Sequence, residues 1–521
     1  LSGFPGTAGG IARGVLERIL DHARLTPDRP AASDAERELT YGQLAAEVDE
    51  VAHGLSGRGV RTGDRVAIHL TNSVDFVVAA LASLCVGAIF VPLAATDPEA
   101  RLEVITGDCD PAVVVTGATG GEAAVLAHPR SVPLEGLRTA PPAGTVEAVP
   151  AELGAAGGAG PAYAIYTSGT TGTPKGVLIG QGAFAAAVAA TIDALDLDAG
   201  TRTLCVSAFH FDGSFATLFP TLVAGGRLVI PPRDSLLFPR TFFRAVARNG
   251  ITYTGFSPSY LRLLLGSPQV GGLAETPLRV IALGGEASSR ADVEAFRAVA
   301  PEVRIFNRYG PTETTIAVTH HEVLPAGPGV PVPIGRPHAG VTFTLVDEHG
   351  AVVDRPDTVG ELYIGGDQLM DGYWQAPELT AAVLRNDVVP GTTTYRTGDL
   401  ISRMPSGDHL YVDRADRVIK RSGVRISLVE LTEVLRGVPG VSAAASVLYD
   451  EDGHLGIVGF VAVGDALEAH DVQRAARLHL PATMLPDRVV VVPAIPLTPA
   501  GKVDERALMA GAGLARWRGG A

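Results

Sequence analysis

Tyr166-Thr167-Ser168-Gly169-Thr170-Thr171-Gly172-Thr173-Pro174-Lys175-Gly176 follows an apolar, strand-like run, Tyr163 to Ile165. Glycines let backbone N–H groups turn toward an anion, the hydroxyls of Ser168, Thr170 and Thr171 add donors, and Lys175 adds a compact positive charge. Such a stretch is a polyphosphate cradle by its chemistry. The P-loop of kinases and ATPases needs G-x-x-x-x-G-K-[ST]; here Pro174 stands where the second glycine belongs and Gly176 follows the lysine, so the Walker pattern fails at two positions.

Outward from this loop, between about residues 40 and 400, strand-like apolar runs such as Val66 to Leu70, Ala112 to Val115, Leu204 to Ser207 and Val280 to Leu283 alternate with helix-like segments. That alternation predicts an α/β fold with a large N-terminal domain of largely parallel sheets flanked by helices. After Gly398-Asp399-Leu400 the texture changes to a hairpin-like piece, Asp408 to Val412, and a polar run, Asp413 to Arg421. A helix around Leu428 to Arg436, strands near Ala443 to Leu448 and Gly456 to Val463, and a helix around Asp471 to Leu478 then predict a small, mobile α+β C-terminal domain. The expected boundary lies at Asp416, giving domains 1–415 and 416–521. The uncharged stretch from Phe76 to Ala95 contains Gly87 and Pro92 and reads as a buried helix followed by a short strand rather than a membrane span.

The chain has 521 residues, enough for a large core plus a smaller unit. A net charge of −14 argues against nucleic-acid or anionic-membrane partners, which want a basic footprint. Three scattered cysteines make neither a disulfide framework nor a metal motif, and a cytoplasmic setting is expected. The first residue is not Met, so the start is expected to be processed or trimmed. Of 42 Lys plus Arg only Lys175, Lys420 and Lys502 are lysines. A chain that meets its general need for positive charge with arginine keeps lysine where a compact, flexible ammonium acts differently from a planar fork.

The sequence YTSGTTGTPKG resembles the signature of adenylate-forming enzymes, among them nonribosomal peptide synthetase adenylation domains, acyl-CoA synthetases and firefly-type luciferases. The resemblance runs through Leu39 to Leu44, Leu84 to Pro92, Phe211 to Ser214, Asn307 to Thr315, Gly360 to Trp374, Tyr395 to Leu400, Arg414 to Arg425 and Pro496 to Val503, in order and at similar spacing. It implies a two-step reaction in which a carboxylate attacks the α-phosphate of ATP and a thiol then takes the acyl group. Residues Thr167, Ser168, Gly169, Thr170, Thr171, Gly172 and Lys175 would hold the phosphates. Tyr309, with Asn307, Gly310 and Thr312 around it, matches the residue that stacks on adenine, with Gly284 on the other face. Glu313 matches the magnesium-binding carboxylate, since Mg²⁺ takes few protein oxygens beside the phosphates. Asp399 would accept the ribose hydroxyls, with Tyr411 beside it; Arg414 would contact ribose or phosphate, and Asp416 would be the hinge. Lys502 matches the catalytic lysine that bridges the attacking carboxylate and the phosphate. Lys420 resembles a lysine facing the thiol acceptor, although Lys420 to Ser427 departs from the usual K-[IV]-R-G-x-R-[IV]-E.

Asp212, in Phe211-Asp212-Gly213-Ser214, matches the aspartate that pairs with a substrate ammonium in amino-acid-activating members; a buried carboxylate is costly without such a cation. The rest of the expected pocket is Phe211, Gly213, Ala216, Gly255, Ile281, Leu283, Arg308, Ile316 and Ala317. Arg308 stands where the family generally has a small residue. It either enters the pocket and holds a second substrate carboxylate, or turns to solvent or pairs with Asp212. The inward orientation implies an amino dicarboxylic acid of aspartate type, or a β-amino acid, as in the free-standing ligases that start macrolactam polyketides. No Gly-Gly-x-Ser carrier motif follows Lys502, so the expected acceptor is the phosphopantetheine arm of a separate carrier protein. An amino-acyl- or acyl-CoA ligase and a non-catalytic adenylate-binding module are the alternatives.

Overall fold

The computed structural model describes residues 14–117, 128–138, 160–167, 174–327, 330–414, 418–421, 424–451, 454–463, 467–496 and 503–516. Two sheets dominate. The first has eight strands in the order Thr319–Glu322, Arg304–Tyr309, Val280–Gly284, Tyr253–Phe256, Arg202–Cys205, Arg227–Val229, Pro30–Ser33 and Glu38–Thr40, parallel except at its two edges. The second has seven strands, with Ile89–Pro92, Arg65–His69 and Val113–Thr116 parallel at its centre and the hairpin Pro161–Thr167/Lys175–Gly180 on one side.

The helices Tyr41–Gly57, Val74–Cys85, Gln181–Leu195 and Asp212–Val223 share one buried cluster with the inner faces of both sheets. Because this layer is covered on both sides, the helix Val74–Cys85 is buried at every position from Phe76 on, which accounts for the uncharged stretch read from the sequence. Among the described residues no helix is long and apolar enough to cross a membrane. The outer face of the first sheet is covered by Pro239–Asn249, Pro258–Leu265 and Arg290–Val299, which form a second cluster with Ile281, Leu283 and Ile305.

Local chemistry fixes the packing of one motif in full. Thr40 caps the helix Tyr41–Gly57 in a reciprocal box with Gln43, and the buried Tyr41 hydroxyl donates to Leu222 O at 2.9 Å and Gly226 O at 2.8 Å. The motif Leu39 to Leu44 therefore ties this helix to the end of Asp212–Val223, the helix that carries the pocket aspartate.

From residue 341 to about 400 the chain differs from the α/β alternation expected there: it forms an antiparallel sheet of Val352–Val353, Val341–Val346, Val359–Gly366, Thr392–Arg403 and Leu384–Val389, and the hairpin-like piece expected at Asp408 to Val412 falls in His409–Arg414, which pairs with Thr392–Arg403. Alternating strand patterns joined by short turns favour this meander over crossovers, which need a helix. Beyond it lie a hairpin, Val418–Arg421/Val424–Ser427, and a four-stranded sheet built on Val441–Glu451 and His454–Val463, with the helices Leu428–Gly437 and Ala469–Ala476. This C-terminal part has its own apolar clusters and meets the larger part through a buried ion pair, Arg101 Nη1 to Glu430 Oε1 at 2.7 Å. The expected hinge, Asp416, lies outside the described residues.

Candidate active site

The strands Pro161–Thr167 and Lys175–Gly180 that flank the expected phosphate loop pair antiparallel. Thr167 pairs with Lys175 and Tyr166 with Gly176 across antiparallel strands, whereas a P-loop joins a strand to a helix. Ser168, Gly169, Thr170, Thr171 and Gly172 lie outside the described residues, as does Lys502. The buried hydroxyl of Thr167 has no hydrogen-bond partner among the described residues. Lys420 is described only as part of its strand, opposite Arg425.

Lys175 leads into a relay that the sequence did not reveal. Its Nζ donates to the Tyr373 hydroxyl at 2.7 Å, lies 3.9 Å from the centre of that ring and 3.7 Å from Glu313 Oε1; the Tyr373 hydroxyl donates in turn to Glu313 Oε1 at 2.8 Å. Glu313 is fully buried, so the nearby ammonium offsets the cost of burying its charge. Tyr373 reaches this position because Gly372–Tyr373 pairs with the Lys175–Gly180 strand. Tyr373→Phe removes one hydrogen bond to each charged group, and a loss of about 1.5–3 kcal/mol in positioning corresponds to a fall in turnover of roughly 10- to 100-fold. Steady-state kinetics at varied ATP, with the melting temperature as a control for folding, checks this.

Tyr309 is buried and its hydroxyl donates to Asp399 Oδ2, while Arg414 Nη1 binds Asp399 Oδ1 at 2.6 Å and Arg414 Nη2 donates to Thr397 O at 3.1 Å. Asp399 and Arg414 face each other across adjacent strands, which fixes the pair. Burial and the Asp399 charge push the Tyr309 hydroxyl well above the usual phenol range, and Tyr411 lies close enough to add to this. Asn307, two residues before Tyr309 on the same face of the strand, donates through its amide to Pro333 O at 2.8 Å, and its oxygen accepts from Ser288 Oγ at 2.9 Å. Gly310 has no room for a side chain, since a Cβ would stand 2.6 Å from Ala317 Cα.

Thr312 and Glu313 open a short turn that ends in two consecutive left-handed residues, Thr315 at φ 58° and Ile316 at φ 72°. A β-branched residue in that region is strained by about 1–3 kcal/mol. Gln368 holds the strained turn: its amide nitrogen donates to Ala317 O at 2.7 Å and Thr315 O at 3.2 Å, while Thr315 Oγ1 donates to Gln368 O at 2.7 Å. Ile316 and Ala317 are thereby buried in the same cluster as Ala216 and Phe306.

Asp212 is the first residue of the helix Asp212–Val223, where the helix dipole favours a carboxylate, and Phe211 precedes it in extended conformation. Ala216 lies one turn on, on the same helical face. Tyr163, a buried neighbour whose hydroxyl has no hydrogen-bond partner among the described residues, is pushed well above the phenol range by burial and then by the Asp212 charge. Arg308 crosses toward this region from the sheet. Only 8% exposed, it donates through Nη2 to Gly213 O at 3.3 Å, and Cβ atoms on Gly284 or Gly255 would stand 2.5 Å from its Cγ or 3.2 Å from its Nη1. Gly284 is therefore the space into which the arginine stem folds. The solvent-facing alternative for Arg308 does not occur.

Ile281 and Leu283 are corrected by the same geometry. Register pairs Gly284 with Arg308 and Ala282 with Phe306, so in a period-two strand Ala282 and Gly284 share the face of Arg308, and Ile281 and Leu283 pack on the opposite helical layer. Ala282, Tyr163, Tyr373 and Gln368 were missed. Only Ala282 carried a sequence signal, the alternation of its strand.

Residues 19–374 match the family model described as AMP-binding enzyme, and residues 430–502 that of the AMP-binding enzyme C-terminal domain. An L-proline–[L-prolyl-carrier protein] ligase of Streptomyces coelicolor is 33% identical over 493 residues, covering 90% of this chain and 91% of that protein. Tyrocidine synthase 2 of Brevibacillus parabrevis is 31% identical over 94% of this chain, which spans 13% of that protein's length. Among solved structures, holo-PA1221, an NRPS protein containing adenylation and PCP domains, matches with a TM-score of 0.84 at 25% identity, over 96% of this chain and 84% of that one. IdnL1 matches with a TM-score of 0.78 at 28% identity, over 93% and 99%.

Proposed function

The chain belongs to the AMP-binding enzyme family, and from that premise we propose that it adenylates an amino acid with a second carboxylate, of aspartate type or a β-amino acid, and passes the acyl group to a carrier protein. In the first step a substrate carboxylate oxygen bonds to the α-phosphorus of ATP, the α–β phosphoanhydride bond breaks, and pyrophosphate leaves. In the second a phosphopantetheine thiol takes the acyl carbon, AMP leaves, and the thiol proton passes to solvent. Lys502 bridges the two anions of the first step. Lys175, kept beside Glu313 by Tyr373, serves the phosphates. Tyr309 stacks on adenine and the Asp399–Arg414 pair beside it meets the ribose.

Glu313 fits a magnesium ion. It is a single fully buried carboxylate, and a hard cation held mostly by phosphate oxygens needs few protein donors. Bound there with ATP, the ion would neutralise phosphate charge.

Asp212 and Arg308 carry the substrate assignment. A carboxylate at a helix start and a buried guanidinium that reaches the carbonyl of the next residue come from opposite elements, an arrangement complementary to a molecule with an ammonium at one end and a carboxylate at the other. The prolyl-carrier ligase and the adenylation–PCP protein among the relatives favour a carrier over CoA as acceptor. Intact-mass measurement after incubation with ATP, amino acid and either a phosphopantetheinylated carrier or CoA tests this. An aminoacyl adduct on the carrier is expected, and a thioester formed on CoA but on no carrier would support the CoA ligase instead.

A further inference from the structure

Arg308 has a neighbour whose chemistry nothing above uses. His320 is its register partner on the antiparallel edge strand Thr319–Glu322, so the two side chains leave the sheet on one face, at the closest cross-strand spacing. The Nη1 of Arg308 and the Nε2 of His320 are both buried with no hydrogen-bond partner among the described residues. Buried polar atoms are rarely left so, and two on adjacent side chains, one a donor, call for an explanation.

The protonation of His320 follows from a chain of hydrogen bonds. Gln368 donates through its amide nitrogen to the carbonyls of Ala317 and Thr315, which fixes its oxygen toward His338 Nδ1 at 3.1 Å. That oxygen can only accept, so His338 carries its proton on Nδ1 and presents a lone pair at Nε2. His320 Nδ1 lies 2.9 Å from that Nε2 and must donate to it, the two rings being within 11° of parallel. A neutral His320 with its proton on Nδ1 has a lone pair at Nε2. Burial, His338 and the Arg308 charge all hold its pKa well below the usual imidazole range, so it is neutral near pH 7. The order Gln368, His338, His320 thus delivers one fixed acceptor beside a guanidinium that has a donor to spare.

We infer that His320 is the positioning residue for Arg308: its Nε2 lone pair takes one guanidinium N–H when the amino acid binds, turning the remaining donors onto the substrate's second carboxylate. The inference rests on the substrate assignment made above for Arg308. It explains why an arginine whose described hydrogen bond is a single 3.3 Å contact to Gly213 O could still select its ligand by geometry, since a guanidinium recognises a carboxylate well only when its fork is held in plane.

The test combines kinetics with histidine spectroscopy. His320→Phe is expected to raise KM for the amino dicarboxylic acid at least tenfold while changing KM for ATP less than twofold, and His320→Gln, whose amide oxygen can accept, should recover most of the loss. In an Arg308→Ala background, His320→Phe should add nothing. In ¹⁵N-labelled protein the His320 resonance, assigned by its absence in the variant, should be that of an unprotonated Nε2 and should move in Arg308→Ala. A protonated Nε2, a resonance indifferent to Arg308→Ala, or an equal effect of His320→Phe on the KM of ATP would overturn the inference. The spectroscopic arm reads the His320 tautomer without substrate and its contact with Arg308 with an amino acid that supports exchange bound. If Arg308→Ala leaves acid preference unchanged, the substrate assignment fails, while the resonance still decides whether His320 accepts from Arg308.

Discussion

Lys502→Ala is expected to lower amino-acid-dependent ATP–pyrophosphate exchange by about a thousandfold. The first half-reaction brings a carboxylate onto a phosphate, and the repulsion between them is greatest as the new bond forms. An ammonium placed between the two is worth most in that transition state, where water is excluded and charge is shared across the forming bond. Stabilisation of ~4 kcal/mol corresponds to three powers of ten in rate. The ground-state affinity for ATP should change far less, because Lys175 remains beside Glu313. Lys502→Arg should restore little, since a planar fork does not fill the place of a compact charge. Rapid-quench measurement of aminoacyl-AMP formation separates the effects. A loss of only a few-fold would remove Lys502 from the chemical step. Lys175 and Lys502 are two of the three lysines in a chain whose other cationic side chains are arginine or histidine, which is the compositional reason to expect a specific role for each.

Arg308→Ala is expected to redirect the choice of acid. Truncating a buried guanidinium that faces a carboxylate costs about 2–4 kcal/mol, so kcat/KM for the amino dicarboxylic acid should fall roughly 30- to 1,000-fold. The same change opens the space above Gly255 and Gly284 into which the arginine now folds. An uncharged amino acid of similar length should therefore gain exchange activity, most of it through a lower KM. Competition between the two acids under one set of conditions reads the switch directly. Equal losses for both would mean that Arg308 holds the pocket together without choosing its ligand.

Much of the fold was legible because it is written locally. The buried helix before Gly87 declares itself within a few residues, and the strands at Val66, Val113 and Val280 lie close to where the apolar runs place them. Pairing between distant segments was not legible. The antiparallel sheet of residues 341–414 has the same strand patterns as a parallel one, and only its connections tell them apart. Ile281 and Leu283 show the limit in miniature. Alternation identifies two faces of the Val280–Gly284 strand, but which face meets the pocket depends on the register with Arg304–Tyr309, 24 residues later. Tyr373 and Gln368 are polar side chains in a stretch that resembles a family motif, and the partners that give them meaning, Lys175, Glu313 and His338, come from other strands and turns. Arg308 could be flagged as unusual from the sequence, yet its direction was settled by two glycines on neighbouring strands.

ATP–pyrophosphate exchange by the wild-type protein across a panel of α- and β-amino acids tests the central claim most directly. Strong exchange with aspartate, 3-methylaspartate, glutamate or their β-amino counterparts, and weak exchange with uncharged acids, is the predicted result. Exchange that is strong for an uncharged amino acid and absent for every amino dicarboxylic acid would contradict the assignment of Arg308, and the absence of any carboxylate-dependent exchange would contradict adenylation itself.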